Sequence, residues 1–412
     1  MKMKTIARLM PLLALGLAGG HASAAGFQLL EQNASGIGNA YAGSAAVAEN
    51  ASTIFFNPAG MTQLKDREIS AGVSIVRPTF KFRNGGSNTG ALSAAGTGDD
   101  AGSWAFLPNG YLSWALNKDL YVGVGFGAPF GLVTEYDNPW VGGAHSLKFD
   151  IKTYNINPSI AYRVNDRVSI GGGINIQRME VEYVKLAGAS VFGSGIKGTL
   201  SADDTNLGWN IGALFALSPT TKVGLSYRSK VKHNLEGSLK TSGNFVSRTG
   251  ASARVDLPDT FILSVSQALN ERWEMLGDIS WTGWSSIPGV NIVPTVGTTQ
   301  VLDTKFRDTW RYALGANYRY SDTIKLKFGL AYDQTPVPNS SHRLVSLPDN
   351  NRTWFTTGAQ IKVNKDSNVD VGVAYLNVPE SHIDNTTATG GNVKGTYDAR
   401  VWILGAQYSM AF

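Results

Sequence analysis

The sequence predicts an all-β fold: a transmembrane antiparallel β-barrel of about 14 strands with an N-terminal hatch, or plug, inside its lumen. Three observations carry this. Apolar and polar residues alternate with a period of two over many separate stretches, which marks strands with two chemically different faces. Short polar turns and long connections alternate strictly along the chain, as the tight periplasmic turns and long extracellular loops of outer-membrane barrels do. No run of about 18 apolar residues follows residue 24, so strands are the spanning elements on offer.

Residues 1–24 read as a cleaved secretory signal. Lys2, Lys4 and Arg8 give the positive start, Leu9 to Leu17 the apolar stretch, and Ala22-Ser23-Ala24 an A-x-A cleavage site. The apolar stretch is too short to span a bilayer. The 412 residues contain no cysteine, so an exported chain of this length has to be held together by backbone pairing and packing. With 47 Gly, 10 Trp, 15 Tyr, 17 Phe and only 16% charged residues, the composition is unlike that of a soluble secreted domain. The net charge of +5 is spread thinly, and without a basic cluster it points to no nucleic-acid partner.

Residues 25–66 form the expected hatch. The stretch "SGIGNAYAGSAAVAENASTIFFNPAGMTQL" is built of small residues that let irregular backbone pack closely. Ile37, Tyr41, Val47, Ile54, Phe55 and Phe56 make it too apolar for a solvated tail. A barrel of this width leaks unless something fills it.

The barrel itself is expected over 67–412. In "VWILGAQYSMAF", Trp402, Leu404, Ala406, Tyr408, Met410 and Phe412 face one way, and Gly405, Gln407, Ser409 and Ala411 the other. "NVDVGVAY" and "TIKLKFGLAYD" repeat the scheme. Short turns fall at Asn117-Lys118-Asp119, Asn165-Asp166, Ser218-Pro219-Thr220, Asn270-Glu271, Ser321-Asp322 and Asn364-Lys365-Asp366. Long connections are expected near 81–105, 131–147, 185–204, 234–253, 285–306, 334–351 and 379–395. Both chain ends then lie on the short-turn, periplasmic side. Tyr111, Trp114, Trp273, Trp281, Trp284, Trp310, Tyr320, Trp354 and Trp402 are candidates for the interfacial aromatic girdles. A soluble β-sandwich would bury one face of each sheet, whereas these inner faces carry Lys325, Lys327, Asp278, Asp370 and Arg311.

At Ala25-Gly26-Phe27-Gln28, Ser35-Gly36-x-Gly38, Ala40-Tyr41-x-Gly43 and Asn57-Pro58-Ala59 the chain resembles the start of mature FadL-type long-chain fatty acid transporters and the related importers of aromatic hydrocarbons. "INPSIAYRVND", "LPDTFILSV", "DISWTGWSS", "FRDTWRYALGANYRYSD" and "PVPNSSHRLVSLPDNNRTWFTTGAQ" extend the likeness over nearly the whole mature chain. The resemblance implies a fourteen-stranded barrel closed from the periplasmic side by an N-terminal hatch. It implies energy-independent uptake: a hydrophobic molecule is caught among extracellular loops, passes to a site in the barrel, and leaves sideways beside a kinked strand. It places Phe27 in or beside the ligand pocket.

Other residues are assigned to the mechanism on this basis. Phe130, Leu132, Val133, Trp140, Val141, Leu147, Val191, Phe192 and Ile196 are expected to build an apolar loop groove. In the third strand, "YVGVGFGAPFGL", Gly123, Gly125 and Gly127 face inward and Pro129 follows. They are expected to leave a hollow and weaken the ladder, which makes this strand the candidate gap. Asn57, Pro58 and Ala59 read as a turn that joins hatch to barrel, with a gating role also open. A fatty-acid carboxylate needs a cation or donors in a poorly solvated place. Parity puts Arg311 inward, Arg178 is read as inward with Glu180 and Glu182, and Lys305 and Arg307 flank the start of the tenth strand. Each is a candidate carboxylate partner, and each has the alternative of pairing with a lumen acid.

No cysteine and no G-x-S-x-G elbow are present, and His145, His233, His342 and His382 fall in or beside expected loops. Neither a nucleophile with its base nor a metal set stands out, so no enzyme, cofactor or metal is expected. A general porin and an outer-membrane esterase are the less favoured alternatives. The expected surroundings are the lipid and lipopolysaccharide of a Gram-negative outer membrane. A closed barrel has no free edge, so a monomer suffices.

Overall fold

In the computed structural model, which describes residues 26–187, 195–243 and 247–412, strand segments join into one closed sheet. Taking segments that continue one another as one strand gives β1 Arg67–Asn84, β2 Ala105–Ala115, β3 Leu120–Gly127 with Gly131–Glu135, β4 Lys148–Asn165, β5 Val168–Leu186, β6 Lys197–Ser218 and β7 Thr221–Arg228 with Val231–Ser242. There follow β8 Ser247–Leu257 with Thr260–Ala268, β9 Trp273–Thr282 with Val290–Pro294, β10 Gln300–Leu302 with Thr309–Arg319, β11 Ile324–Asp333, β12 Arg352–Asn364, β13 Ser367–Thr387 and β14 Gly391–Ala411. Each pairs antiparallel with the next, and β14 returns to β1 from Glu68 opposite Ala411 to Asn84 opposite Gly395. The result is a closed fourteen-stranded antiparallel barrel, as the alternation of turns and long connections predicts. The export signal at 1–24 lies outside the described residues, as do Val191 and Phe192.

Side chains obey the period of two. Trp402, Leu404 and Tyr408 are exposed on the outer face of β14, while Gln407 and Ser409 are buried inside. On the outside, Tyr227, Phe261, Trp281 and Trp310 stand directly opposite one another across β7 to β10, a continuous aromatic row. Tyr111, Trp284 and Trp354 are not part of any girdle. All three are buried on the lumen side, where they pack on the hatch or its neighbours.

The long connections differ from expectation in kind. Much of 197–204 and 234–253, and most of 379–395, is strand: β6 to β8, β13 and β14 run on as paired hairpins. Polar residues on both faces look like loop in sequence, but a ladder beyond the membrane has water outside and needs no apolar face.

Residues 26–66 fill the bore. They are nearly all buried and contain the 3-10 turn Ile37–Asn39, the helical turn Thr53–Phe56 and the 3-10 turn Pro58–Gln63. Their backbone runs so close to the wall that a Cβ on Gly224 would lie 2.0 Å from Ala45 O, and one on Gly329 would lie 2.3 Å from the carbonyl carbon of Asn39. The hatch is also tied by charge. Lys327 Nζ, on a side chain 2% exposed, meets Glu49 Oε2 at 2.8 Å, Asp370 Oδ1 at 3.0 Å and Ser35 O at 3.0 Å, and Lys325 reaches Glu49 Oε1 at 2.6 Å.

Candidate functional site

The site forms where the start of the hatch meets a break in β3. Pro129 cannot donate to the ladder, and between Ala128 and Phe130 the pairing with β4 slips by one residue. Gly127 stands opposite Asn155, but Gly131 stands opposite Lys152. Thr153 repairs the slip: its Oγ1 accepts from Phe130 N at 2.9 Å and donates to Phe130 O at 2.7 Å. On the other side, the ladder with β2 ends at Phe126 opposite Gly110. From Gly127 onward, β3 has an edge that β2 does not cover.

The hatch takes that edge as a short extra strand. Leu29 N donates to Pro129 O, and Gly131 N donates to Phe27 O, both at 2.8 Å. Gln32 Nε2 donates to Ala128 O at 2.7 Å. Gly26 N is held by Asp349 Oδ2 at 3.0 Å.

This pairing fixes the ring of Phe27, 5.9 Å from Phe130 and 5.0 Å from Trp284 between centroids. On the Phe27 side lies an apolar cavity of about 60 Å³, walled by Ile151, Met179, Leu200, Leu235, Ile287, Phe306 and Leu347 among others. Phe130 and Leu132 belong to the buried cluster around it. On the far side of Trp284 and Gln28 lies a second cavity of about 50 Å³, with a mixed lining that includes Phe55, Ser226, Arg228, Thr260, Thr282, Thr309, Arg311 and Asp333. Gln28 helps separate the two: its Nε2 donates to Thr260 Oγ1 and its Oε1 accepts from Thr282 Oγ1, each at 3.1 Å.

The predicted residues distribute unevenly around these cavities. Phe27, Phe130, Leu132 and Arg311 come together at them. Arg311 is 6% exposed, donates from Nη2 to Ala40 O at 2.6 Å, and lies over the Trp354 ring at 5.1 Å. Arg178 does not face inward. The alternation of β5 continues unbroken through it, so it shares the outer face with Ile174 and Ile176 and pairs with Glu180 at 2.8 Å and Asp203 at 3.2 Å. Its side chain is 47% exposed, because the outer face at that height meets water. Lys305 is 62% exposed and lies 3.8 Å from Asp303. Arg307 is exposed too, and neither lines either of these two cavities.

The glycines of β3 are not a hollow. Gly123 and Gly125 lie in the regularly paired part of the strand, and a Cβ on Gly123 would meet Ile54 Cδ1 and Met61 Sδ at 2.7 Å. Gly127 faces Gln32, so the space is already filled by the hatch. The interruption is at Ala128, Pro129 and Phe130. Trp140, Val141 and Leu147 line no open groove: they are buried among themselves with Phe82, Tyr136 and Tyr397. Asn57 is not the join to the barrel. It caps the Pro58–Gln63 turn by accepting from Ala59 N and ties the hatch to β6 through Ala213 O at 2.9 Å, and the join follows at Leu64–Arg67.

Arg228 escaped the sequence reading. Its signal was available, since in "GLSYRSK" it shares parity with Gly224 and Ser226 and opposes Tyr227.

A family model described as outer membrane protein transport protein (OMPP1/FadL/TodX) matches residues 15–412. The chain belongs to this family. Members with curated descriptions include the long-chain fatty acid transport protein of Escherichia coli strain K12, 28% identical over 97% of each chain. The 47 kDa outer membrane protein of Pasteurella multocida is 31% identical over 88% of this chain and 90% of its own. Among solved structures, a Pseudomonas aeruginosa FadL homologue superposes with a TM-score of 0.85 at 24% identity, covering 94% of this chain and 99% of that one. The Ralstonia pickettii toluene transporter TbuX gives 0.67 at 18% identity, covering 92% and 99%. These two likenesses show the fold. Family membership makes the chain an outer-membrane transport protein rather than an enzyme.

Proposed function

We propose that the protein admits hydrophobic compounds, long-chain fatty acids foremost, across the outer membrane without an energy source. The cargo enters past the extracellular loops, rests in the apolar cavity against Phe27, and leaves sideways into lipid where β3 parts from β2. The observation that carries this reading is the uncovered edge of β3 from Gly127 onward, stoppered by Phe27 to Leu29 and bordering that cavity. Hydrogen bonds of the ladder have to be absent for a wall to let an apolar molecule through, because unpaired backbone in lipid is costly. A removable hatch strand satisfies the edge between passages. Both termini lie in the periplasm, the barrel works as a monomer, and it is surrounded by lipid and lipopolysaccharide.

The names of the relatives support fatty acids, and the toluene transporter among the structural neighbours supports an aromatic hydrocarbon as the second reading. Uptake of labelled palmitate by cells lacking their own transporter tests the route. Ala253→Trp, which fills the apolar cavity, should lower uptake at least about tenfold. Undiminished uptake would remove the cavity from the path.

A further inference from the structure

We propose that the barrel has a side entrance: a recess on its outer face, between β8 and β9, takes a hydrocarbon chain that lies in the outer leaflet and passes it between Val255 and Ile287 into the apolar cavity. The proposal rests on the reading of that cavity as the cargo site and adds a source of cargo, the membrane itself.

The wall is interrupted there on one side only. Toward β7, β8 keeps one register, with Leu257 opposite Val231 and Thr260 opposite Arg228. Toward β9 it pairs as far as Thr260 opposite Thr282 and resumes at Ala253 opposite Ile292, so that 254–259 lie against the longer stretch 283–291. Pro258 and Pro288 have no N–H to give a ladder. After Gly283 N, which donates to Asp259 O at 2.9 Å, the stretch bonds elsewhere: Ile287 N donates to Trp284 O at 3.0 Å, Ile287 O accepts from Thr304 Oγ1 at 2.6 Å, and Pro288 O accepts from Lys305 N at 2.8 Å. A side chain, Ser286 Oγ, reaches across to Asp256 O at 2.8 Å. A wall closed by side chains can part without breaking a backbone ladder, which a regular strand pair cannot do.

The recess over this interruption holds about 530 Å³, within the range of roughly 300–1,000 Å³ usual for small-molecule sites. Its rim is polar, with Glu236, Arg254 and Asn291, while Leu235, Ala253, Val255 and Ile287 form its floor. Those same four side chains wall the apolar cavity from within, so one layer of apolar side chains separates the two spaces. Leu235 and Ala253 belong to paired strands; Val255 and Ile287 stand in the interruption and are the movable part. Arg254 is already paired with Asp256 at 2.9 Å, so the rim demands no charged partner and suits a chain with any small polar head. The height fits as well. Phe261 and Trp281 of the outer aromatic row lie two residues from Asp259 and Gly283, which puts the recess at the level of the lipid headgroups. A polar rim meets the headgroups there, and an apolar floor meets the chain that follows.

Photolabelling of the full-length protein in liposomes tests this with two probes. One is a phosphatidylcholine with a diazirine at the end of an acyl chain, which stays in the bilayer; the other is a diazirine-bearing palmitate delivered from water on albumin. Adducts are mapped on Met179 and Leu200, which wall the apolar cavity but not the recess. In the wild type both probes should label them. Ser252→Trp, which fills the recess from its exposed edge, should cut labelling by the lipid-borne chain about tenfold and leave labelling by palmitate unchanged, and Glu236→Trp from the opposite edge should do the same. A lipid-borne chain that labels neither residue, or labels them equally with and without the tryptophans, overturns the side entrance while the palmitate adducts keep the cargo site. Absence of cavity adducts from either probe overturns the cargo reading and the entrance together.

Discussion

Phe27 is a small plug within the larger one, and its ring has work on three sides. It packs on Phe130 and Trp284 and closes the apolar cavity. Phe27→Ala should enlarge the apolar cavity and cost roughly 3 kcal/mol of local packing; faster exchange of the Leu29 amide would report it. Glu31 offers a control by pH. Burial pushes its carboxyl up to about 7, against its own backbone hydrogen bond and the pull of Arg352 and Arg311, with Asp333 adding to the rise and Tyr41 beside it. A carboxyl raised on docking favours the docked hatch while protonated. That support is full below about 4.5, is lost as pH rises through about 7, and makes the hatch looser at pH 8 than at pH 5. Bilayer openings should be several-fold more frequent at pH 8, and Glu31→Gln should flatten the difference. Parity placed Arg311 correctly from sequence. It failed at Arg178 because an assumed break in the pattern was not there, and Arg228 was passed over although the same rule would have found it.

At the scale of elements, β3 and the hatch strand laid against it form one device. Because the chain has no cysteine, a Gln28→Cys/Phe130→Cys pair can be oxidised without competition, and these residues already form an antiparallel bridge. Oxidation should cut palmitate uptake about tenfold or more, and reduction should restore it; equal uptake in both states would free the hatch strand from any gating role. Gly123→Val should now leak ions, because its side chain would drive into Ile54 and Met61. The Lys327–Glu49–Asp370 cluster fastens the other end of the hatch to β11 and β13. Lys327→Met leaves buried Asp370 without its cation and Glu49 with Lys325 alone, and should cost about 3 kcal/mol of docking, visible as hydrogen exchange across 37–49. Glycine and proline in "YVGVGFGAPFGL" did flag the third strand. Which of them faces the hatch and which breaks the ladder depends on the hatch's path, and that is a tertiary fact the local pattern does not hold.

For the whole molecule, alternation was enough to give fourteen strands, because a barrel in lipid imposes one rule on every strand: apolar outside, small or polar inside. Where that rule lapses the reading lapsed too. The hairpins above the membrane looked like loops, and Tyr111, Trp284 and Trp354 looked like girdle although they line the bore. The hatch showed itself by composition, while its fastening to the wall, from Ser44 on Asp278 to Asn57 on β6, spans hundreds of residues and has no local signature. The account stands on a bore that is shut to water while the wall yields to apolar cargo. Single-channel recording in planar bilayers puts that most directly to the question, comparing the intact chain with one lacking residues 27–48. The intact barrel should be nearly silent and the shortened one should show large, stable steps. Equal conductance from both would mean that the hatch closes nothing.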